Sequence, residues 1–386
     1  MEFFSYTRKT GTWAEINLDN IGLNLKSVKE SLDENTAICC VVKANAYGHG
    51  AVEVAKYLET QPGVDYLSVA RFEEAMELRR NGISLPILCM GYTYVGDMDE
   101  AIKNNITLTI YNLEMAERLN EFATKLGRKA KVHVKIDSGM SRLGFLVNDK
   151  SIEDIKQIHD TLSMLELEGM YTHFAKADEE DKVATMDQLE GFKYIVNGLS
   201  EVDIKYKHVS NSAASLDLKE LGFNMIRLGI ALYGYYPSEE VSRSVKLKPA
   251  LKVKTVVTNI KNVPANTGVS YGHVYVTDKN TRVGTLAVGY ADGYPRTQES
   301  PKVFLNGSFV KVIGRICMDQ CMIEIPEDLE VKIGDEVVIM GDIPGITVED
   351  IAKQIGTISY EILCMISRRV VRYYTSCGVV ESKSYM

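Results

Sequence analysis

The chain has 386 residues, 45% of them hydrophobic and 25% charged, and its 44 basic and 52 acidic side chains leave a net charge of −8. That length predicts two domains of ordinary globular composition. The acidic balance, with no long basic block, argues against nucleic acid or an anionic membrane surface as partner.

The N-terminal MEFFSYTRKTGTW lacks the apolar core of a secretory signal, and no stretch of about 18 apolar residues follows, so a cytoplasmic protein without a membrane span is expected. Over the first 230 residues or so, short runs rich in Val, Ile and Tyr alternate with longer amphipathic stretches. NIGLNLKSVKESL reads as a helix, with Asp19 or Asn20 as its N-cap. Strands are predicted at AICCVVKAN from Ala37, YLSVA from Tyr66, PILCM from Pro86, ITLTI from Ile106, KVHVKID from Lys131, LELEGMYTHF from Leu165, KHVSN from Lys207 and MIRLGI from Met225. Between them GAVEVAKYL, FEEAMELRRNG and NLEMAERLNEFATKLG carry helical patterns, the last with Asn112 to start it and Gly127 to stop it. Eight strands with helical crossovers predict an α/β fold, an N-terminal (β/α)8 TIM-type barrel; an open doubly wound sheet is the competing topology.

The texture changes after YGYYPSEEVSRS. LKVKTVVTNIKNV, TRVGTLAVGY, KVFLNGSFVKVIG, MIEIP and DEVVIMG read as strands of a mostly β C-terminal domain. Asn306-Gly307 marks a hairpin, and TVEDIAKQIG a helix opened by Thr347 and Asp350. The expected division is residues 1–243 and 244–386, with the first ten or so residues packing on the second domain. The seven cysteines form no CxxC pair, and most lie in apolar runs such as AICCVV and PILCM, which predicts buried thiols in a reducing compartment. No Cys/His cluster has metal-ligand spacing, so no metal is expected.

Barrels do their chemistry at the C-terminal ends of the strands. Lys43 ends the first strand, Arg142 follows the fifth, His173 ends the sixth, Asn211-Ser212 the seventh, and Arg227 and Gly229 the eighth. A lysine buried there loses basicity, which suits a covalent cofactor link, although a strand-end lysine with its head in water is the plainer alternative. Arg227 cannot shed its charge and needs a partner, such as a core carboxylate; Lys135 has the same need, for which Asp137 is the obvious candidate. NSAAS and LGIALYG, in the loops after strands seven and eight, offer a hydroxyl and backbone amides for a phosphate.

VVKANAYGHG resembles the cofactor-lysine motif of the alanine racemases, and the likeness continues in order through KIDSGMSRLG, YTHFAKADE, HVSNSAA, MIRLGIALYG, GVSYGHVY, VGYADGYPR, RICMDQ and TISYE. The resemblance implies an isomerase that interconverts L- and D-alanine with pyridoxal phosphate and supplies D-alanine for peptidoglycan. It implies a head-to-tail homodimer with shared active sites. Lys43 would hold the cofactor and act as one base, with Tyr271 of the second subunit as the other. Arg227 would face the pyridine nitrogen, and His173 would join it to Tyr271. Tyr47, Ser212, Gly229, Ile230 and Tyr360 would surround the phosphate. Arg142, steadied by a carbamylated Lys135, Met318 of the partner and Tyr290 would meet the substrate. Racemisation removes a proton from one face of Cα and returns one to the other, so two opposed bases are needed. A phenol holds its proton at neutral pH, so Tyr271 requires the help of His173 and Arg227. A fixed guanidinium about 4 Å from the ring nitrogen would disfavour its protonation by roughly 4 kcal/mol at an effective dielectric near 20.

The family's commonest pattern has Thr at Lys176, Gly at Ser141 and Pro at Val371; none of these is a catalytic position. A serine or broad-specificity racemase on the same scaffold is the nearest alternative, since a hydroxymethyl differs little in size from a methyl. A barrel-type decarboxylase would lack GVSYG and RICMDQ, and a cofactor carrier consisting of the barrel alone would lack the β domain; this chain has all three features.

Overall fold

A computed structural model describes residues 11–218, 221–297 and 301–384. The described residues form two compact units, one within 22–46 and 51–248, the other within 11–21, 47–50 and 249–384. The predicted packing of the first ten residues lies outside the described residues.

In the first unit all eight predicted strands form: β2 (Ala37–Val41), β3 (Tyr66–Val69), β4 (Ile87–Cys89), β5 (Ile106–Ile110), β6 (Ala130–Asp137), β7 (Leu165–Tyr171), β8 (Tyr206–His208) and β9 (Met225–Leu228), numbered after β1 (Thr12–Asn17) of the other unit. They pair in parallel in the order β5-β4-β3-β2-β9-β8-β7-β6, and a β5–β6 pairing closes the barrel, which rules out the open sheet. Cys39, Tyr66, Leu88 and Met225, one from each of four adjacent strands, pack as one buried cluster. Leu88 and Met225 each contribute about 1.5–3 kcal/mol of transfer free energy there.

The crossover helices obey local signals. The helix Leu113–Leu126 starts where the Asn112 side chain accepts the Met115 amide at 2.8 Å and stops at left-handed Gly127, as predicted. The first helix, Leu18–Lys29, is capped two residues before Asp19 and three before Asn20: Asn17 Oδ1 accepts from the Asn20 amide, so neither of the expected residues is the cap. Helices at Met98–Lys103, Asp149–Thr161 and Val183–Gly198 add to those predicted.

The second unit is built on a nine-stranded sheet that includes β1. β1 pairs antiparallel with Leu251–Val263 and parallel with Val371–Ser376, and Trp13, Val371 and Tyr373 form a buried cluster there. The Asn306-Gly307 turn joins Lys302–Leu305 to Ser308–Ile313 with both turn residues at positive φ (47° and 86°), the twist a two-residue hairpin requires. Thr347 and Asp350 cap the helix Val348–Ile355 reciprocally, as expected. All seven cysteines are thiols, and Cys39, Cys40, Cys89 and Cys321 are buried. Among the described residues, no helix is long and apolar enough to cross a membrane.

Candidate active site

Lys43 stands two residues past the end of β2 rather than on it, and it is half-buried. Beyond it the backbone turns left-handed for four consecutive non-glycine residues, Ala44, Asn45, Ala46 and Tyr47, with φ from 51° to 55°. Left-handed backbone costs an L-residue roughly 1–2 kcal/mol, so such a run persists only where the surroundings over-determine it. Here the Ala46 amide bonds Val42 O, the Ala51 amide bonds Asn45 Oδ1, and the Ala44 amide bonds the Glu74 carboxylate.

Arg227 points into the barrel from β9 and is 3% exposed. The expected core carboxylate does not partner it. Instead its Nη atoms donate to the carbonyls of Thr172 (2.7 Å), His208 (3.1 Å) and Val209 (3.2 Å), and to Nδ1 of His208 (3.0 Å) and of His173 (3.2 Å). Burial lowers its pKa to about 10, so it remains a cation at neutral pH. That fixed donor sets the histidines. His208 and His173 receive a hydrogen bond at Nδ1 and are therefore neutral with the proton on Nε2. Burial, and then the Arg227 charge, hold both well below the usual histidine range. The pattern continues inward: His208 Nε2 donates to His133 Nδ1 at 2.9 Å, and His133 Nε2 faces Glu168 at 3.7 Å. Tyr171 stacks on His208 with ring centroids 4.8 Å apart and also lies under the Arg227 guanidinium.

Lys135 on β6 is 5% exposed, and the predicted salt bridge to Asp137 does not form. The Asp137 carboxylate is occupied by the backbone amides of Gly139, Ser141 and Arg142, which shape the loop that carries Arg142. Gly144 closes that loop at φ 136°, where a Cβ would lie 2.3 Å from Asp137 N. Lys135 Nζ donates only to Ile136 O among the described hydrogen bonds, at 2.8 Å. Burial, then Arg227, lowers its pKa to about 7, with Asp137 opposing and Arg142 adding to the fall. Folding thus penalises protonated Lys135. The penalty is full below about 7 and is relieved as pH rises towards the ordinary 10.5, because over that interval the unfolded chain binds more protons.

Ser212 is buried at the start of a short helix that Asn211 caps through the Ala214 amide. Its Oγ accepts from the amides of Gly229 (2.9 Å) and Ala231 (3.3 Å), which draws the loops after β8 and β9 together and places Ile230 between those two amides. A hydroxyl and clustered backbone amides form a phosphate-type donor set. Arg227, whose described hydrogen bonds all leave from Nη, has Nε to offer a ring nitrogen. With Lys43 as the amine, the barrel unit's residues fit a phosphorylated pyridine aldehyde such as pyridoxal phosphate.

The second unit holds the other expected residues. Tyr47 and Tyr360 meet with ring centroids 6.0 Å apart, and Tyr47 is buried. Tyr271 sits on a tight turn with Ser270 (φ 64°), Gly272 (φ 70°) and His273 (φ 45°) all left-handed. It is 70% exposed, and Met318 is 54% exposed. Residues 270–273 and 317–320 line one cavity of about 580 Å³. Tyr290 is exposed at the start of a short turn whose amides bond Cys317 O and Met318 O.

His208, His133, Glu168, Tyr171 and Glu74 escaped the sequence reading. A signal was there for His133, which stands between two valines in KVHVKID; His208 had none, because KHVSN is mostly polar. Glu74 had none, since EEAMELRR reads as an ordinary acidic first turn.

Comparison with known proteins bears on this arrangement. Residues 16–237 match the family described as alanine racemase, N-terminal domain, and residues 250–374 the one described as alanine racemase, C-terminal domain. An alanine racemase of Methanococcus maripaludis is 46% identical over 94% of this chain and 98% of its own. The structure of an alanine racemase from Clostridium difficile 630 superposes with a TM-score of 0.95 at 50% identity, covering 98% of this chain and 99% of that one. A complex of the Clostridium difficile 630 alanine racemase with cycloserine gives 0.93 at 48% identity, covering 98% and 99%. With both family domains matched in order on a barrel and a β domain, the chain belongs to the alanine racemase family.

Proposed function

We propose that this chain is an isomerase that interconverts L- and D-alanine, using pyridoxal phosphate held on Lys43, and that it supplies D-alanine for peptidoglycan. The observation that carries the reading is buried Arg227, a cation held by neutral acceptors among the described residues, in a barrel whose strand ends also carry a half-buried lysine and a hydroxyl–amide cluster. Cycloserine, bound in one relative, is a ring-closed amino acid of alanine size, and its capture there supports a small amino-acid pocket.

The cofactor, when bound, acidifies the substrate Cα–H. The protein does the rest. Lys43 Nζ holds the cofactor covalently and afterwards takes or returns the Cα proton on one face. Tyr271 of the partner subunit does so on the other through its phenol oxygen, within a homodimer that shares its active sites. Its exposure in one chain suits a residue that serves another. Arg227, a cation at neutral pH, would face the ring nitrogen and disfavour its protonation. Neutral His173 connects Arg227 to Tyr271. Tyr47, Ser212, Gly229, Ile230 and Tyr360 hold the phosphate. Arg142, Met318 and Tyr290 orient and enclose the substrate. The barrel unit, residues 22–46 and 51–248, carries the cofactor lysine, and the β unit carries the second base. The site is cytoplasmic, where reduced thiols are stable.

Lys135 belongs to the same machinery as a carbamate. A lysine with a pKa near 7 has the neutral amine that CO2 requires, and the carbamate anion would pair with Arg142 in place of a penalised ammonium. One experiment tests both lysines. The protein is loaded with pyridoxal phosphate in bicarbonate buffer, reduced with borohydride and weighed intact under native conditions, then digested. The expected result is a cofactor fixed on Lys43 and one additional CO2 that disappears in Lys135→Ala. A cofactor fixed elsewhere sinks the Lys43 assignment, and a CO2 adduct that survives Lys135→Ala, or none at all, sinks the carbamate.

A further inference from the structure

Glu74 touches none of the groups assigned above, yet it fixes the backbone on which one of them stands. It lies in the first turn of the helix Phe72–Arg80, half-buried. Its Oε2 accepts from the amides of Ala70 (2.8 Å) and Arg71 (3.1 Å), which is all that capping this helix requires. Its Oε1 reaches out of the helix and accepts from the Ala44 amide at 2.6 Å, the residue after Lys43. On the other side of Lys43, the Val42 amide bonds Ser68 O of β3 at 2.8 Å. Lys43 is therefore pinned one residue before and one residue after, both times by the next strand–helix unit of the barrel. The pin after it falls on the first of the four left-handed residues, where the backbone would otherwise relax.

We infer that Glu74 is a positioning residue for Lys43: its carboxylate holds the left-handed turn and so aims the lysine amine into the barrel mouth. This rests on the reading of Lys43 given above. A charged acceptor bridging two strand ends achieves what a glycine-rich turn does not, since it fixes the direction of a side chain rather than merely permitting a bend.

Two variants separate the clamp from helix capping. Glu74→Ala loses all three hydrogen bonds. Glu74→Asp keeps a carboxylate for Ala70 and Arg71 but is one methylene too short for Ala44. Amide hydrogen exchange over residues 43–50 is measured on the protein as purified, together with the rate at which added pyridoxal phosphate becomes reducible onto Lys43. In both variants exchange over that segment is expected to rise by about tenfold or more, with the rest of the barrel unchanged in Glu74→Asp. Labelling of Lys43 should slow by about tenfold, and kcat should fall while KM for alanine stays close to wild type. Wild-type exchange over 43–50 in both variants overturns the clamp, as does wild-type labelling of Lys43. If the unaltered protein takes no cofactor on Lys43, the functional reading fails, and the exchange measurement alone still decides for or against the clamp.

Discussion

Replacing Tyr271 with phenylalanine is expected to leave a folded protein that still takes pyridoxal phosphate on Lys43 but racemises alanine about 10²–10⁴-fold more slowly, the span a positioned acid–base group contributes. The change removes one oxygen from a side chain that is 70% exposed, so stability should move by no more than about 0.5 kcal/mol. The two faces of Cα should then behave differently. Solvent-proton exchange at Cα of D-alanine, the face proposed for Lys43, should persist, whereas exchange at L-alanine should fall with the racemisation rate. The check is deuterium incorporation into each enantiomer, followed by mass spectrometry. Equal residual exchange from both enantiomers would contradict the division of labour between Lys43 and Tyr271.

The second large effect is expected at Arg227. Arg227→Lys keeps a cation in principle but loses the planar fork that now reaches three carbonyls and two imidazoles. An ammonium on a shorter path leaves at least two of the buried acceptors without a donor, at about 1–3 kcal/mol each. A stability loss of about 3 kcal/mol in urea unfolding is therefore expected. Burial would also push the new amine towards its neutral form. The constraint on His208 and His173 to carry their protons on Nε2 would then weaken, and so would the control over the ring nitrogen. Racemisation should fall about 10²-fold while a transamination by-product, pyruvate, becomes detectable. Unchanged stability with unchanged product purity would contradict the role given to this residue.

The barrel was legible in the sequence because most of its strands are buried on both faces and so read as short, mainly apolar and β-branched runs. AICCVV, ITLTI and MIRLGI each form where they were read. The Asn112, Thr347 and Asn306-Gly307 signals are local, and local chemistry decides them. What escaped depends on which of several candidate partners the folded backbone brings into reach. ANAY contains no glycine, and its left-handed run exists because Glu74, thirty residues on, bonds Ala44. The charge on Lys135 suggested Asp137 as the nearest acid, but the loop amides of 139–142 take that carboxylate first. Arg227 likewise suggested an acid, and the fold answered with carbonyls and neutral histidines. Asn17 outcompetes Asp19 and Asn20 as a cap because the strand it ends, β1, runs directly into the helix.

The substrate is what the account stands on, and a hydroxymethyl differs from a methyl by little. The direct measurement is the specificity constant for L-alanine and for L-serine, each followed by the appearance of its D-enantiomer at equal enzyme and substrate concentration. The account predicts D-alanine formation with the higher constant, by about tenfold or more, since burying a hydroxyl without a partner costs about 1–3 kcal/mol. A higher constant for serine, or no D-alanine from a protein loaded on Lys43, would contradict it.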